Sequence, residues 1–294
     1  MTAGELLGAA HSFPFRPLRE MLEARPFIVI APHPDDESLA CGGLIADARR
    51  QAVRGKVVIV SDGAGSHPNS KAYPPDRLRS LREEEARQAG AELGLRPDEM
   101  LFLGLPDRFV PHEGEEAERA IGVIADCVRE IGAGSLFVSW RHDPHCDHEA
   151  SYRIARAVQR RVGKVRLFEY VVWGHTLPPS TEVDPVRSGF RIRIDHEAHE
   201  KKRRAIAAHR SQTTHLIDDD PAGFLFSQID LAHFDLPYEF FLESDARANR
   251  ANFFAGSRRN LVNDNDGKRS TRSRRSSSNK FGEPCRARNA LHFD

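Results

Sequence analysis

Residues 27–50 have the sequence FIVIAPHPDDESLACGGLIADARR. The stretch begins with a short apolar run at residues 27–31 and continues into a polar cluster at residues 33–37. An apolar run without a polar face is typical of a strand buried in a parallel sheet, and a helix-compatible segment follows from about Ser38. Open α/β sheets bind their ligands at the carboxyl ends of such strands. The stretch therefore predicts an α/β fold with a ligand site directly after its first strand.

Three more apolar runs follow the first, and each precedes a helix-compatible segment. This alternation predicts a Rossmann-like, mostly parallel, doubly wound sheet with helices on both faces. Two later strands without a helix between them, and one more helix, predict a small C-terminal β/α extension. The predicted strands are 56–61, 100–103, 135–140, 165–173 and 190–195, and the predicted helices are 76–93, 115–131, 149–162 and 196–209.

Composition divides the chain into three parts. Residues 1–25 are a helical or irregular lead-in, and residues 26–256 are the predicted α/β domain. From residue 257 onward Ser, Arg, Asn and Asp dominate, so the basic tail at 257–294 is predicted to be disordered. The formal net charge of the whole chain is zero. The body before the tail is therefore slightly acidic, and we expect no nucleic-acid partner.

Cysteine spacing and hydropathy argue against a disulfide-rich, zinc-knuckle or membrane-spanning protein. The four cysteines have no CxxC spacing, which argues against a disulfide framework or a zinc knuckle. No apolar run approaches the roughly 18 residues that a membrane span needs. The N-terminus has no signal-peptide pattern, so a cytoplasmic protein is expected. The sequence carries no signal of an oligomeric state.

A second polar cluster, RHDPHCDH at residues 141–148, follows the fourth predicted strand. If the first and fourth strands are neighbours at a switch point, the two clusters share one crevice. His33 and Asp36 lie three residues apart at a strand-to-helix turn, and imidazole and carboxylate are both good zinc ligands. A catalytic zinc usually takes three protein ligands, and His148 or His145 would supply the third.

Capping is the alternative interpretation of the first cluster, because Asp35, Asp36 and Ser38 could serve only as N-cap residues of the following helix. His145 and His148, taken singly, would be ordinary exposed or structural histidines. Two such clusters at two strand ends are difficult to explain by capping. A metal site is therefore the favoured interpretation.

The residues beside the predicted ligands suggest the remaining chemistry. Asp35 would be the general base for a metal-bound water, and a protonated His145 would stabilise the oxyanion and later protonate the leaving amine. Asp147 would hold an imidazole in one tautomer through a hydrogen bond to the ring nitrogen that does not bind the metal. Glu37 would orient the loop or cap the helix, where its charge meets the helix dipole.

Arg82 and Asp107 are the candidate substrate contacts, since an Arg donor and an Asp acceptor suit a sugar hydroxyl. The alternative for Arg82 is an intrahelical ion pair with Glu85, worth only ~0.3–0.5 kcal/mol. The sequence GAG at residues 63–65 follows a strand, as a dinucleotide fingerprint does. It lacks the third glycine and a helix directly behind it, so a plain turn at the rim of the crevice is favoured.

These motifs resemble those of the PIG-L/LmbE family of zinc-dependent N-deacetylases. APHPDDE at residues 31–37 resembles the family's A-H-P-D-D-E, with Pro32 as an apparent insertion. HCDH at residues 145–148 resembles its H-P-D-H, with Cys146 in place of the proline. Residues around Arg82, at 103–107 and at 202–212 also match, so the resemblance covers about residues 26 to 245.

The resemblance implies zinc bound by His33, Asp36 and His148, with iron as an alternative metal. It implies Asp35 as general base and His145 as the acid or oxyanion partner. The reaction would be hydrolysis of an N-acyl group, usually N-acetyl, on a glucosamine-like sugar. Some members have a carbonyl-polarising tyrosine where this chain has Asp143, and another residue, such as His142 or a mobile tyrosine, would have to replace it.

The predicted function is therefore a metal-dependent hydrolase that removes an N-acyl group from a small amino sugar or a glycoconjugate. Two alternatives remain. One is a broader amidase acting on a thiol conjugate or a lipo-glycoconjugate. The other is a non-catalytic sugar- or nucleotide-binding module.

Overall fold

A mixed sheet forms the centre of the fold in the computed structural model, which describes residues 1–243. Its seven strands are β1 (Phe27–Ala31), β2 (Gly55–Ser61), β3 (Met100–Leu105), β4 (Ser135–Ser139), β5 (Arg166–Tyr170), β6 (Ser188–Arg193) and β7 (Tyr238–Glu243). Their order across the sheet is β3-β2-β1-β4-β5-β7-β6. Strands β1 to β5 pair in parallel, whereas β7 runs antiparallel to both β5 and β6. The predicted Rossmann-like, mostly parallel sheet is confirmed.

Helices cover both faces of the sheet. The helices are α1 (Ala3–Ala10), α2 (Leu18–Met21), α3 (Asp36–Arg50), α4 (Pro75–Glu92), α5 (Gly114–Ile131), α6 (Cys146–Val162), α7 (His196–Ala208), α8 (Arg210–Thr213) and α9 (Gln228–Ala232). Helices α3, α4 and α7 contribute to the core on one face, and α5 and α6 contribute to the core on the other. Short 3-10 turns lie at Pro97–Glu99 and Gly174–Thr176.

Strand β1 is buried on both sides, as its unbroken apolar run predicts. Val29 packs into the core beneath α3, and Ile28 and Ile30 pack into the core beneath α5 and α6. The strand order reverses between β1 and β4, which are hydrogen-bonded neighbours. This is the switch point at which doubly wound sheets form their ligand crevice. The two polar clusters that follow β1 and β4 therefore meet at one edge of the sheet.

The C-terminal extension differs from its prediction by one strand. Strand β7 was not predicted, and it lies between β5 and β6, so these two predicted strands are not neighbours. A buried ion pair connects β7 to the helices: Lys202 Nζ on α7 lies 2.8 Å from Glu239 Oε1 on β7. The same carboxylate accepts hydrogen bonds from the backbone amides of Gly43 and Leu44 in α3 at 2.7 and 2.8 Å.

Glycines in α3 allow this close contact with the extension. A Cβ atom on Gly43 would lie 2.4 Å from Ile194 Cδ1, and one on Gly42 would lie 2.9 Å from Lys202 Cγ. Both distances are shorter than a carbon–carbon contact tolerates. Helix α3 is consequently packed on nearly every side, and its first turn is held rigidly at the crevice.

Helix α6 begins earlier than the sequence indicates. It starts at Cys146 rather than at Glu149, because His145 is its N-cap and accepts a hydrogen bond from the backbone amide of Asp147 at 3.2 Å. Residues 146–148 therefore form the first turn of a helix and not the end of a loop. Helix α3 likewise begins at Asp36, two residues before the predicted start at Ser38.

The lead-in at residues 1–25 contains α1 and α2 and packs on the body through buried Leu18, Met21 and Leu22. The predicted end of the α/β domain at residue 256 and the predicted disordered tail at 257–294 lie outside the described residues. Among the helices of residues 1–243, none combines the length and the apolar character that a bilayer crossing requires.

Candidate metal centre

The loop after β1 is held by hydrogen bonds among its own residues. The backbone amide of His33 donates to Asp36 Oδ2 at 2.9 Å, and the amide of Asp35 donates to Glu37 Oε2 at 3.1 Å. Asp36 is the first residue of α3, so its carboxylate turns back towards His33. All four side chains are buried, with His33 8% exposed and Glu37 fully buried. The loop is thus preorganised by carboxylates that would otherwise repel each other.

Helix α6 supplies the opposite wall of the crevice. His148 lies in its first turn and is fully buried. Ser139 Oγ, at the end of β4, donates to the His148 carbonyl at 3.0 Å and ties the helix to the strand. The imidazole rings of His145 and His148 lie 4.6 and 5.3 Å from that of His33, measured between centroids. The pairing of β1 with β4 thus brings together residues more than a hundred positions apart in the chain.

Three ligand atoms form a nearly equilateral triangle. Asp36 Oδ2 lies 3.3 Å from His33 Nδ1 and 3.3 Å from His148 Nε2, and the two nitrogens are 3.3 Å apart. A tetrahedral zinc ion with metal–ligand bonds of about 2.0–2.1 Å requires its ligand atoms to be about 3.3–3.4 Å apart. These three atoms therefore match the spacing of three zinc ligands and leave the fourth position open.

Carboxylates bind the second nitrogen of each imidazole. His148 Nδ1 lies 2.9 Å from Asp143 Oδ2. His33 Nε2 lies 3.2 Å from Asp147 Oδ2 and 3.3 Å from Asp107 Oδ1. When such an imidazole is neutral and donates to a carboxylate, its other nitrogen is unprotonated and available to a metal. The contacts thus leave Nδ1 of His33 and Nε2 of His148 directed at Asp36 Oδ2, as the ligand atoms of a cation would be.

Other trios also bring ligand atoms within 4.8 Å of one another: His33, His145 and His148; His33, Asp107 and Asp147; and His145, Cys146 and Asp147. In these trios His145 uses Nδ1 to accept the Asp147 amide, and Asp147 accepts the amides of Arg108 and Val110 at 2.6 and 3.1 Å. Nδ1 of His145 and both carboxylate oxygens of Asp147 are thus engaged in holding the loops, as Asp36 Oδ2 also is through the His33 amide. The set of His33, Asp36 and His148 is distinguished by three equal distances of 3.3 Å, the spacing of tetrahedral zinc ligands.

The protonation of these groups points to the same conclusion. Burial alone would lower the pKa of His148, but the carboxylates of Asp36 and Asp143 outweigh it and raise this pKa to about 9. Burial also opposes charge on His33, yet hydrogen bonds to Asp107, Asp147 and Asp36 raise its pKa. Without a metal the surplus of carboxylates therefore favours the protonated form of both rings. A divalent cation would satisfy the same negative charge and displace those protons.

Asp35 lies beside the triangle and forms a buried ion pair with Arg82. Its Oδ2 atom is 2.8 Å from Arg82 Nη2, and both side chains are less than a tenth exposed. Burial raises the pKa of Asp35 to about 6, although the Arg82 guanidinium opposes the rise. A carboxylate with such a pKa accepts a proton more readily near neutral pH than an ordinary aspartate does.

Arg82 is placed beneath the loop and not at the surface of a pocket. Besides Asp35, its guanidinium donates to the carbonyl oxygens of Gly63 and Pro34 at 2.9 and 3.1 Å. It does not pair with Glu85, which instead accepts hydrogen bonds from Ser211 N and Oγ at 2.9 and 2.7 Å. The alternative of an intrahelical Arg82–Glu85 pair is therefore wrong. These contacts engage Arg82 with the protein rather than with a sugar.

Asp107 is likewise engaged with the protein. Its Oδ2 atom accepts a hydrogen bond from the Gly65 amide at 2.8 Å, while Oδ1 faces His33. Burial would raise the pKa of Asp107, but the contact with His33 lowers it overall. The Asp107 carboxylate thus connects the glycine-containing turn after β2 to the metal centre. This observation agrees with the interpretation of residues 63–65 as a plain turn.

His145 is a neutral imidazole in this arrangement. Burial and the neighbouring rings of His33 and His148 lower its pKa to about 3, and a bound cation would lower it further. Because Nδ1 accepts the Asp147 amide, the proton of the neutral ring is on Nε2. His145 can therefore donate one hydrogen bond from Nε2. The expectation of a protonated His145 does not agree with this environment, which disfavours a charged ring.

Several contacts in the site were not predicted. His209 Nε2 lies 3.2 Å from Glu37 Oε1 and 3.1 Å from Ser38 Oγ. Asp143, which stands where some members of the family have a carbonyl-polarising tyrosine, lies behind His148 and also accepts the Val172 amide at 3.1 Å. His142 Nε2 accepts the Asp184 amide at 3.2 Å instead of facing the centre. The periodicity of the sequence contains no signal for such long-range pairs.

Residues 28–159 match the PIG-L family, described as GlcNAc-PI de-N-acetylase. The 2'-N-acetylparomamine deacetylase of Streptomyces fradiae is 29% identical over 56% of this chain and 63% of its own length. The probable N-acetyl-alpha-D-glucosaminyl L-malate deacetylase 2 of Bacillus cereus is 26% identical over 67% of this chain and 88% of its own length. The chain thus spans less than two thirds of the first of these relatives.

Solved structures support the fold. The crystal structure of an antimicrobial-reagent pseudoaglycone deacetylase superposes with a TM-score of 0.56 at 18% identity, over 74% of this chain and 96% of that chain. At this identity the similarity concerns the architecture alone.

Proposed function

The chain contains a domain of the PIG-L family over residues 28–159, and from this premise we propose that it is a metal-dependent N-deacetylase of an amino sugar or sugar conjugate. The observation that carries the proposal is the triangle of His33 Nδ1, Asp36 Oδ2 and His148 Nε2, with sides of 3.3 Å. The relatives support the substrate class, because those quoted above are named as deacetylases of N-acetylated sugar derivatives.

His33, Asp36 and His148 would hold the metal. Zinc is the proposed ion, since two imidazoles and one carboxylate suit it, and Fe²⁺ accepts the same ligands. When bound, such an ion lowers the pKa of water and polarises a carbonyl oxygen. Asp143 and Asp147 orient the two imidazoles from behind, and Glu37 holds the Asp35 amide. These outer contacts fix the geometry before substrate arrives.

Asp35 is the proposed general base. It takes a proton from the attacking water as the new carbon–oxygen bond forms, and the same proton is then available to the leaving amine. Arg82 keeps Asp35 in place and keeps enough of it ionised, because the guanidinium opposes the effect of burial on its pKa. Arg82 is therefore proposed as a positioning residue rather than as a substrate contact.

His145 is the proposed donor to the carbonyl oxygen. Its Nε2–H can stabilise the negative charge that develops on that oxygen, and a donor in such a position contributes about 10²–10³ in kcat. A neutral ring serves this purpose as long as its proton is on Nε2, which the Asp147 amide ensures. This role also supplies the polarising group that Asp143 cannot provide.

The test measures metal content and amine release together. Purified protein is assayed for bound zinc and iron, stripped with a chelator, and reconstituted with each metal in turn. Release of free amine is then followed on N-acetylglucosamine, N,N′-diacetylchitobiose and larger N-acyl conjugates. We expect activity on N-acetylated sugars that disappears with the metal and returns on reconstitution.

Two variants distinguish loss of the metal from loss of the general base. His33→Ala is expected to lose both metal and activity, whereas Asp35→Asn keeps the metal and loses most turnover. His142→Ala, a histidine of the same segment that lies outside the triangle, is the matched control and should behave as wild type. Full deacetylation by metal-free protein would contradict the proposal. Metal binding without turnover on any N-acyl sugar would favour the broader amidase or the binding module.

A further inference from the structure

His209 is a buried histidine, only 1% exposed, whose imidazole contacts the start of α3. Its Nε2 atom lies 3.2 Å from Glu37 Oε1 and 3.1 Å from Ser38 Oγ. Ser38 Oγ donates its own proton to Glu37 Oε1 at 2.7 Å, so both neighbours of Nε2 are acceptors. Nε2 therefore carries a proton and donates it to this pair. The residues that receive it follow directly after Asp35 and Asp36 in the chain.

Glu37 connects His209 to the proposed general base. Its side chain is fully buried, and while Oε1 faces His209, Oε2 accepts the backbone amide of Asp35 at 3.1 Å. The Asp35 amide also lies 3.0 Å from the His33 carbonyl oxygen, so it has two acceptors. Among the ion pairs of residues 1–243, the one with His209 is the only pair that Glu37 forms. His209 thus fixes the orientation of the carboxylate that holds Asp35.

The segment that begins at His209 also holds the second support of Asp35. Ser211 donates from N and Oγ to the carboxylate of Glu85 on α4, at 2.9 and 2.7 Å. Arg82 lies one turn earlier on α4, and its Nη2 atom is 2.8 Å from Asp35 Oδ2. Asp35 is therefore held at its amide through α3 and at its carboxylate through α4. Helix α8 and its N-cap contact both of these helices.

Helix capping is the alternative role for His209, because this residue lies at the junction of α7 and α8. The cap is made by the backbone, since the His209 carbonyl accepts the amides of Gln212 and Thr213 at 2.9 and 3.0 Å, and the side chain makes no capping hydrogen bond. Within residues 1–243, Nδ1 of the ring is buried without a hydrogen-bond partner. Such an atom costs stability. Packing and capping alone would therefore favour an apolar side chain here.

The charge of the ring suits a role beside Glu37. Burial would lower the pKa of His209, but the hydrogen bond to Glu37 and the charges of Glu37 and Asp35 raise it overall. The ring therefore favours its protonated form. A hydrogen bond between an imidazolium and a carboxylate is stronger than one between neutral groups, so this contact resists displacement of Glu37.

We propose that His209 is a positioning residue for the general base: it fixes Glu37, and Glu37 fixes the backbone of Asp35. The inference rests on the proposed deacetylase function and adds a residue from the C-terminal part of the domain to it. Within residues 1–243 the His209 side chain pairs with Glu37 and Ser38 and not with a metal ligand. Its loss should therefore lower kcat and leave KM and zinc affinity close to those of wild type.

Two amide variants of His209 test this role in steady-state deacetylation of an N-acetylated sugar. His209→Gln places its amide near the position of Nε2 and can still donate to Glu37, whereas the shorter His209→Asn cannot reach it. We expect His209→Asn to lower kcat about 10–100-fold with KM and zinc content unchanged, as a small misplacement of a catalytic group does, and His209→Gln to recover much of this loss. His199→Asn, the same change at a partly exposed histidine of α7, is the control and should behave as wild type.

Urea denaturation of the same variants separates positioning from stability. If the two His209 variants lost kcat equally, in step with their loss of zinc or of folded protein, the proposal would be overturned. Unchanged kcat in His209→Asn would overturn it as well. If His209→Asn does not fold, His209→Leu takes its place, because leucine also lacks the donor and fills the buried position.

A double-mutant cycle tests whether His209 acts through Glu37. Glu37→Ala removes the carboxylate that connects the two residues, and by itself it should lower kcat. In that background His209→Asn should lower kcat no further, because the intermediate contact is already lost. Two losses that multiply would show that His209 acts on turnover by another route and would overturn the proposal.

Hydrogen exchange of the Asp35 amide, followed by NMR on zinc-loaded protein, tests the contact without turnover. Exchange should be about fivefold faster in His209→Asn than in wild type or His209→Gln, since the amide loses one of its two acceptors. If wild type deacetylated no N-acyl sugar but exchange accelerated in His209→Asn, the deacetylase function would be rejected and the support of Asp35 retained. If wild type were active and neither exchange nor kcat changed in His209→Asn, the positioning role would be rejected and the function retained.

Discussion

His148 Nδ1 lies 2.9 Å from Asp143 Oδ2, and both side chains are buried. This contact determines which nitrogen of His148 faces His33 and Asp36. Asp143 occupies a position where some members of the family have a tyrosine, and its charge would be unsuitable for polarising a carbonyl. Behind the imidazole the same charge is useful, because it fixes the tautomer and increases the basicity of the ligand nitrogen.

Replacement of Asp143 should therefore weaken metal binding. We expect Asp143→Asn to reduce zinc affinity by about 10–100-fold, because a carboxylate that accepts a hydrogen bond from a metal-binding imidazole typically raises metal affinity by this factor. Competition with a chromophoric chelator measures the change. Asp184→Asn removes an exposed carboxylate beside His142 and is the matched control, with affinity expected to be unchanged. Equal affinity of Asp143→Asn and wild type would show that the carboxylate does not support the ligand.

Replacement of Arg82 should move the acid side of the pH–rate profile. The proposed role of Asp35 as a base requires an ionised carboxylate, so kcat/KM should fall as the pH drops through the pKa of Asp35. Burial raises this pKa to about 6 and Arg82 opposes the rise, so Arg82→Gln should raise it further. We expect the acid limb to shift to higher pH by about one unit or more, as the loss of a close opposite charge requires.

Arg77→Gln provides the control for that profile, since Arg77 is an exposed arginine of the same helix. Its acid limb should coincide with that of wild type. A bound metal lowers the pKa of Asp35 in both proteins, so the comparison is made between holoenzymes. If the acid limb of the Arg82→Gln profile coincides with that of wild type, Asp35 is not the group whose ionisation controls turnover.

Replacement of His145 should lower turnover and leave the zinc content unchanged. His145→Ala removes the Nε2–H donor, and we expect kcat to fall by about 10²–10³. His145→Gln restores an amide donor on a side chain of similar length and should recover part of the loss. Zinc content should equal that of wild type in both variants. If His145→Ala lost its zinc, His145 would be a ligand and the assignment of Asp36 would need revision.

Replacement of Lys202 should destabilise the fold. Lys202 Nζ and Glu239 Oε1 are 2.8 Å apart and both side chains are buried. Lys202→Met leaves the Glu239 carboxylate buried without its cation, which costs about 3–5 kcal/mol in the free energy of unfolding. Urea denaturation of the apoprotein measures this loss. Lys201→Met, which removes an exposed pair with Glu197, should change stability by less than about 1 kcal/mol.

Much of the architecture could be predicted because its signals are local. The apolar run of β1 is visible in five consecutive residues, and the alternation of strands and helices follows from hydrophobic periodicity. The pair His33 and Asp36 was identifiable because both side chains belong to one strand-to-helix turn. The starts of α3 and α6 were placed two and three residues late. The start of α6 depends on a single cap, in which His145 accepts the Asp147 amide.

Strand β7 and the pairs of the site could not be predicted in the same way. Strand β7 lies beside β5, about seventy residues earlier in the chain, and its short sequence shows no distinctive pattern. Arg82 bonds Asp35 and not Glu85, and Asp107 contacts both His33 and the Gly65 amide. The partner of each charged side chain depends on which other charged groups the folded sheet brings within about 3 Å of it.

The sequence by itself indicated the type of chemistry: two His/Asp clusters at two predicted strand ends favour a cation site, because so many carboxylates otherwise repel one another. The tertiary structure alone decided which of these groups lie in contact. Pairing of β1 with β4 places His148 opposite His33 and Asp36, and burial then assigns a tautomer or a pKa to each group according to its neighbours. Electrostatic interactions act through space and strengthen with burial, so they follow from the fold and not from the order of the residues.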